Sequence, residues 1–191
     1  MSVLGELQPN KVFKYFEEIC SIPHGSRNLQ QISDYLVDFA KAHELKYRQD
    51  EDLNVIIWKD GSKGYEASEP VILQGHMDMV AVKEADCDKD MEKEGLDLEI
   101  NGDYISAKGT SLGGDDGIAV AYTLAVLDDE EMAHPPIEAI FTVNEEIGML
   151  GAATIDVSDL KGRLFMNMDS EDEGVFTVSC AGGASVICKI P

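Results

Sequence analysis

The sequence predicts a layered α/β domain built on a largely parallel sheet. Three observations predict it. Two segments of helical period open the chain, short apolar runs rich in β-formers recur after them, and a further helical segment falls between two of those runs. With 191 residues, 44% of them hydrophobic, the chain is long enough and apolar enough to bury one core.

In the first segment, Asn10 to Ile22, the residues Val12, Phe13, Phe16, Ile19 and Cys20 keep a helical period, and Leu29, Ile32, Leu36, Phe39 and Ala40 do so in the next. Leu53 to Trp58 reads as a strand, and the polar, glycine-containing stretch Asp60 to Glu69 as a loop. Val71 to His76 is a second strand, apolar at its start and polar at its end. Leu96 to Ile100 and Tyr104 to Ser106 flank Asn101-Gly102, a strong hairpin signal. From Gly114 to Leu127 the period becomes helical again, with Ile118, Ala121, Tyr122, Ala125 and Val126 on one stripe. Pro136 to Val143 and Arg163 to Met168 are further strands, and two short ones, Val175 to Ser179 and Ser185 to Ile190, flank a turn at Ala181-Gly182-Gly183.

Fifteen Lys and Arg against 37 Asp and Glu give a formal charge of −22. Such a surface repels phosphate backbones and disfavours nucleic-acid and anionic-membrane partners. The four cysteines, Cys20, Cys87, Cys180 and Cys188, form no C-x-x-C pair and read as thiols of a reducing compartment. The amino terminus lacks the basic and apolar regions of a signal peptide, and the longest nearly apolar run, Gly117 to Leu127, is too short to span a bilayer. These features predict a soluble cytoplasmic protein.

Ligands of open α/β sheets gather at the carboxyl ends of strands, and acids stand at each such end here. His76 and Asp78 follow one strand, Glu145 and Glu146 another, Asp169 a third, while Asp115 and Asp116 open the Gly114 helix. One imidazole among carboxylates suits a divalent cation such as zinc or manganese. Each motif also has a plainer reading. A histidine after a strand is often structural, and Asp115-Asp116 and Asn144-Glu145-Glu146 can be acids at capped helix starts. Yet adjacent like charges at the end of a buried strand cost energy unless a cation lies beside them. A competing motif, Gly109-Thr110-Ser111-Leu112-Gly113, has the form of a serine nucleophile elbow. The only later histidine is His134, beside two prolines, so a triad has poor support.

The four motifs Gln74-Gly75-His76-Met77-Asp78-Met79, Gly113-Gly114-Asp115-Asp116-Gly117, Asn144-Glu145-Glu146-Ile147-Gly148 and Asn167-Met168-Asp169 resemble, in order, those of the di-zinc exopeptidases that include aminoacylases, carnosinases and carboxypeptidase G. The resemblance is strongest to the Xaa-His dipeptidases of that family. It implies a three-layer α/β/α catalytic domain with a mixed, largely parallel sheet, two Zn2+ per complete site (or Co2+ or Mn2+), and hydrolysis of small peptides by a metal-activated water. By resemblance, His76 and Asp169 bind one metal, Asp115 bridges, Glu146 binds the second, Glu145 is the general base and Asp78 orients His76. The Asp115–Asp116 bond is expected to be cis. The resemblance further implies a second-metal histidine far downstream, where this chain has none; His24, His43 and His134 read as structural. Residues 1–180 are expected to form the amino-terminal part of the catalytic domain and 181–191 the start of a lid domain through which the whole protein dimerises. The chain thus reads as a fragment, impaired or inactive alone, with a non-catalytic metal-binding module as the alternative.

Overall fold

The computed structural model describes residues 2–170, 174–179, 182 and 186–190. The elements run α1 (Asn10–Cys20), α2 (Gln30–Ala42), β1 (Lys46–Gln49), β2 (Val55–Lys59), β3 (Val71–His76), β4 (Leu98–Asn101), β5 (Tyr104–Ala107), α3 (Gly114–Leu127), β6 (Ile137–Thr142), α4 (Leu150–Thr154) and β7 (Leu164–Asn167). The main sheet has the order β1-β2-β6-β3-β7. β3 lies parallel to both β6 and β7, whereas β2 runs antiparallel to β1 and β6. Four of the five strands therefore share a direction, the mixed and largely parallel sheet that was expected.

Strand alternation decides which side chains face the helices. Val55, Ile57, Ala139 and Phe141 join Val12, Phe16, Ile19, Leu36, Val120 and Leu124 in the main core, so α1, α2 and α3 share one face of the sheet. The opposite face buries Ile56, Ile72 and Ile140 under Trp58, Ile155 and Leu160. Within the described residues that face is covered by the chain that follows α4, through Ile155 and Leu160.

Several local expectations change. In α3 the buried set is Asp116, Gly117, Ala119, Val120, Ala121, Thr123, Leu124, Ala125 and Leu127, while Tyr122 is exposed, so the stripe drawn through Tyr122 was misplaced. This helix is covered by both α1 and the sheet, and a helix covered on two sides has no single apolar stripe. The hairpin β4–β5 pairs Asn101 with Tyr104, which moves its loop to Gly102-Asp103, with Gly102 at φ +62°. Strand β1 was not anticipated, because Lys46-Tyr-Arg-Gln49 is a polar edge strand without an apolar run. Val175–Ser179 and residues 186–190 form no strand; Phe176, Val178 and Ile187 are exposed, and an isolated hairpin has too little to pack on. Cys180, Ser185, the rest of the expected turn except Gly182, and the domain boundary after 180 lie outside the described residues.

Gly75 shows how tightly the sheet meets α3. A Cβ there would lie 2.8 Å from Asp116 Oδ2 and 2.9 Å from Ala119 Cβ. Gly75→Ala is expected to force α3 outward at a cost of about 1–3 kcal/mol, read by urea denaturation. An unchanged midpoint would contradict this packing.

Candidate metal centre

Parallel pairing brings the carboxyl ends of β3, β6 and β7 side by side, with His76 opposite Thr142 and Gln74 opposite Asn167. The chain leaving each strand carries one part of the centre. Across from them stand Asp115 and Asp116, joined by a cis peptide as the resemblance implies. Their backbone angles are not helical, so the regular part of α3 begins at Gly117 and the two acids occupy its lead-in rather than a capped first turn. Nor does Glu145 begin a helix. Asn144 and Met149 take left-handed φ values of 54° and 55°, and α4 starts only at Leu150. Asn144 Oδ1 instead accepts the N–H of Arg27 at 2.8 Å.

His76 is buried, and its two ring nitrogens are committed differently. Nδ1–H donates to the backbone carbonyl of Asp78 at 2.9 Å, which points Nε2 into the centre, 3.0 Å from Asp115 Oδ1 and 3.9 Å from Glu145 Oε2. The backbone, more than the carboxylate, of Asp78 therefore orients the ring. The carboxylate stands 3.5 Å from Nδ1 and accepts the Glu145 N–H at 3.0 Å and the Ser26 hydroxyl at 2.7 Å. Asp116, also buried, accepts the backbone N–H of His76 at 3.2 Å.

Two groups of side chains converge on this imidazole. His76, Asp115 and Glu146 bring one ligand atom each within 4.8 Å of one another, and so do His76, Glu145 and Asp169. The five residues to which the resemblance gives a ligand or base role are thus brought together, with Asp78 directly behind His76. The grouping sets Glu146 beside His76, whereas the resemblance assigns Glu146 to the other metal. His24, His43 and His134 stay outside the groups. Nδ1 of His24 donates to Ile22 O at 2.6 Å, Nδ1 of His134 to Pro135 O at 2.8 Å, and His43 stacks on Phe39. Ser111 donates to Val80 O at 2.6 Å and accepts the Val82 N–H at 3.1 Å, a loop-fastening role with no histidine beside it. The contributions of Ser26, Asn144 and Asp116 depend on contacts far apart in sequence, and no spacing pattern announces them.

A nitrogen donor with several carboxylate oxygens fits a divalent cation, and the electrostatics agree. Burial opposes charge on His76, but Asp78, Asp116 and Asp115 outweigh it and raise the imidazole to about 10. Burial lifts Asp116 to about 7, and burial with neighbouring acids also raises Glu145 and Glu146. Asp78 moves the other way: burial would raise it, yet the adjacent His76 ring and the hydrogen bonds from the Glu145 N–H and the Ser26 hydroxyl hold it low. A surplus of carboxylates strains for a cation, and a proton on Nε2 and a metal ion are alternatives there.

The signs lead to a measurable expectation. The imidazolium stabilises the metal-free fold fully below its ordinary 6.5, and that contribution is lost as pH rises through about 10. For Asp116 the raised value likewise means stability lost as pH climbs from its ordinary 3.8 through about 7. The chelated protein is expected to melt progressively lower from pH 5 to about pH 10, while divalent metal binds more tightly over the same interval. A melting temperature that climbs from neutral to alkaline pH would contradict the assignment.

No family model matches the chain. A cytosol non-specific dipeptidase of Escherichia coli K12 is 40% identical over 183 residues, 96% of this chain and 38% of that protein. Aminoacylhistidine dipeptidase from Vibrio alginolyticus superposes with a TM-score of 0.87 at 40% identity, covering 90% of this chain and 35% of that one. A tripeptidase from Staphylococcus aureus shares the fold at 23% identity, with a TM-score of 0.71 over 88% of this chain and 45% of its own. The chain therefore spans little more than a third of the length of the two dipeptidases it matches. An identity of 40% along nearly the whole of this chain, with the same fold beneath it, shows that the chain belongs to the exopeptidase family its motifs resemble, the one containing cytosol non-specific dipeptidase and aminoacylhistidine dipeptidase.

Proposed function

We propose that this chain carries most of the metal-binding half of a zinc-dependent dipeptidase acting on Xaa-His and related dipeptides. The observation that carries the reading is the convergence of Asp115, Glu145, Glu146 and Asp169 on the single buried imidazole of His76. The two dipeptidase relatives support the substrate class, and the Escherichia coli relative, named a cytosol enzyme, supports a cytoplasmic setting. No helix among the described residues is long and apolar enough to cross a membrane.

His76, Asp115, Glu146 and Asp169 would hold the metal, which supplies a Lewis acid for the scissile carbonyl and acidifies water. Glu145 takes the proton of the attacking water and delivers it to the leaving amine. Its raised proton affinity suits a group that must hold a proton between those two events. Asp115 lies 3.0 Å from His76 Nε2, Asp78 keeps His76 and the Glu145 turn in register, and a small peptide is the partner that the dipeptidase relatives support. In the whole protein a lid domain would supply the dimer contact.

One observation favours a second reading, a metal-binding piece without turnover of its own: His76 is the only histidine in either group, so among the described residues a second metal lacks a nitrogen donor. Both readings are tested by metal content and Xaa-His hydrolysis, measured on these 191 residues and on the longest natural protein containing them. The expected result is chelator-sensitive hydrolysis, restored by zinc, in the longer protein and a large loss in the shorter. A longer protein that binds metal yet cleaves no dipeptide would remove the peptidase reading.

A further inference from the structure

The carboxylate of Asp78 is fully buried, and its two oxygens are used separately. Oδ1 accepts the Glu145 N–H, and Oδ2 accepts the hydroxyl of Ser26 at 2.7 Å. Ser26 belongs to the loop between α1 and α2, and that loop is fastened along the chain leaving β3. Ser26 N–H donates to Met79 O at 3.1 Å, Met79 N–H donates to His24 O at 3.2 Å, and Gly25 pairs with Met79. One residue further on, Arg27 N–H holds Asn144, the neighbour of Glu145. The loop thus reaches the Glu145 turn by two routes, one through the Asp78 carboxylate and one through Asn144.

We infer that Ser26 is a positioning residue for Glu145, acting through Asp78. Its importance for turnover rests on the reading of Glu145 as the base; its effect on the turn does not. Asp78 has two competing uses. Its Oδ1 lies 3.5 Å from His76 Nδ1, so a carboxylate released by Ser26 can swing toward the imidazole and give up the Glu145 N–H. The hydroxyl of Ser26 satisfies Oδ2 in place and keeps Oδ1 on Glu145. A charged acceptor deprived of a donor in a dry site reorients rather than remaining unsatisfied.

The test uses the full-length, metal-loaded protein with two variants of equal shape, Ser26→Thr, which keeps the hydroxyl, and Ser26→Val, which removes it. Hydrogen exchange is followed over residues 144–151, together with metal content, kcat and KM. The Val variant is expected to exchange about tenfold faster over that segment and to lose about tenfold in kcat, with metal content and KM unchanged. The Thr variant is expected to keep both near wild type. Wild-type exchange and kcat in Ser26→Val overturn the inference, and so does equal damage in Thr and Val, which marks a packing defect. If the wild-type protein cleaves no peptide, the peptidase reading fails by itself, and the exchange contrast between Thr and Val alone decides whether Ser26 holds Glu145.

Discussion

Replacing Glu145 by Gln is expected to lower dipeptide hydrolysis by about 10²–10⁴-fold while leaving the bound metal in place. The substitution keeps the size of the side chain and its hydrogen-bonding reach but replaces the basic carboxylate with an amide too weakly basic to accept the water's proton. The backbone of residue 145 still donates to Asp78 Oδ1, so the turn that carries the side chain should survive. The result discriminates because Glu145 also belongs to one of the two possible ligand groups, with His76 and Asp169. A base and a ligand differ in what their loss does to the metal. With His76, Asp115, Glu146 and Asp169 all intact, a base can be removed without changing metal stoichiometry. A ligand cannot. Metal content measured beside kcat therefore separates the roles, and a Gln variant that loses metal in step with activity would make Glu145 a ligand and send the search for a base elsewhere.

The parts of this centre that were legible in the sequence are those governed by local rules. An acid or a histidine just past an apolar strand sits at the carboxyl end of a sheet, so His76, Glu145, Glu146 and Asp169 could be placed at one rim before any fold was known. The same local rules misled where tertiary contacts override them. Asn144 looks like a helix cap, but it spends its side chain on Arg27, 117 residues away. Asp115 and Asp116 look like first-turn acids of a helix, yet both are non-helical, and Asp116 faces the backbone of His76. Ser26 carries no signal at all, since its partner lies 52 residues downstream. The resemblance, together with the two-residue spacing, assigns Asp78 to orient His76. Extended-chain spacing puts both side chains on one face, but it does not tell whether the carboxylate or the carbonyl meets the ring, and here the carbonyl is nearer.

His76→Ala is expected to abolish measurable metal binding at micromolar zinc, and hydrolysis with it, because the same nitrogen completes both ligand groups. Removing a carboxylate takes one oxygen from a cluster that has three others. Removing His76 leaves Asp115, Glu145, Glu146 and Asp169 with no nitrogen donor and with their mutual repulsion uncompensated, since the imidazolium was also their counter-charge in the metal-free protein. The loss should be visible without any assay of catalysis. A ligand at a thousand times its Kd stabilises the fold by about 4 kcal/mol, so zinc should raise the melting temperature of the wild-type protein by several degrees. In His76→Ala that increment should vanish. Asp115→Asn serves as the graded comparison: it retains the nitrogen and an oxygen donor, so weakened binding with a smaller zinc-dependent shift is expected. If His76→Ala binds zinc within about threefold of wild type, the metal does not sit at the converging ends of β3, β6 and β7. If Asp115→Asn is the more damaging of the two, the Asp115 carboxylate, rather than the shared imidazole, is the main anchor of the metal.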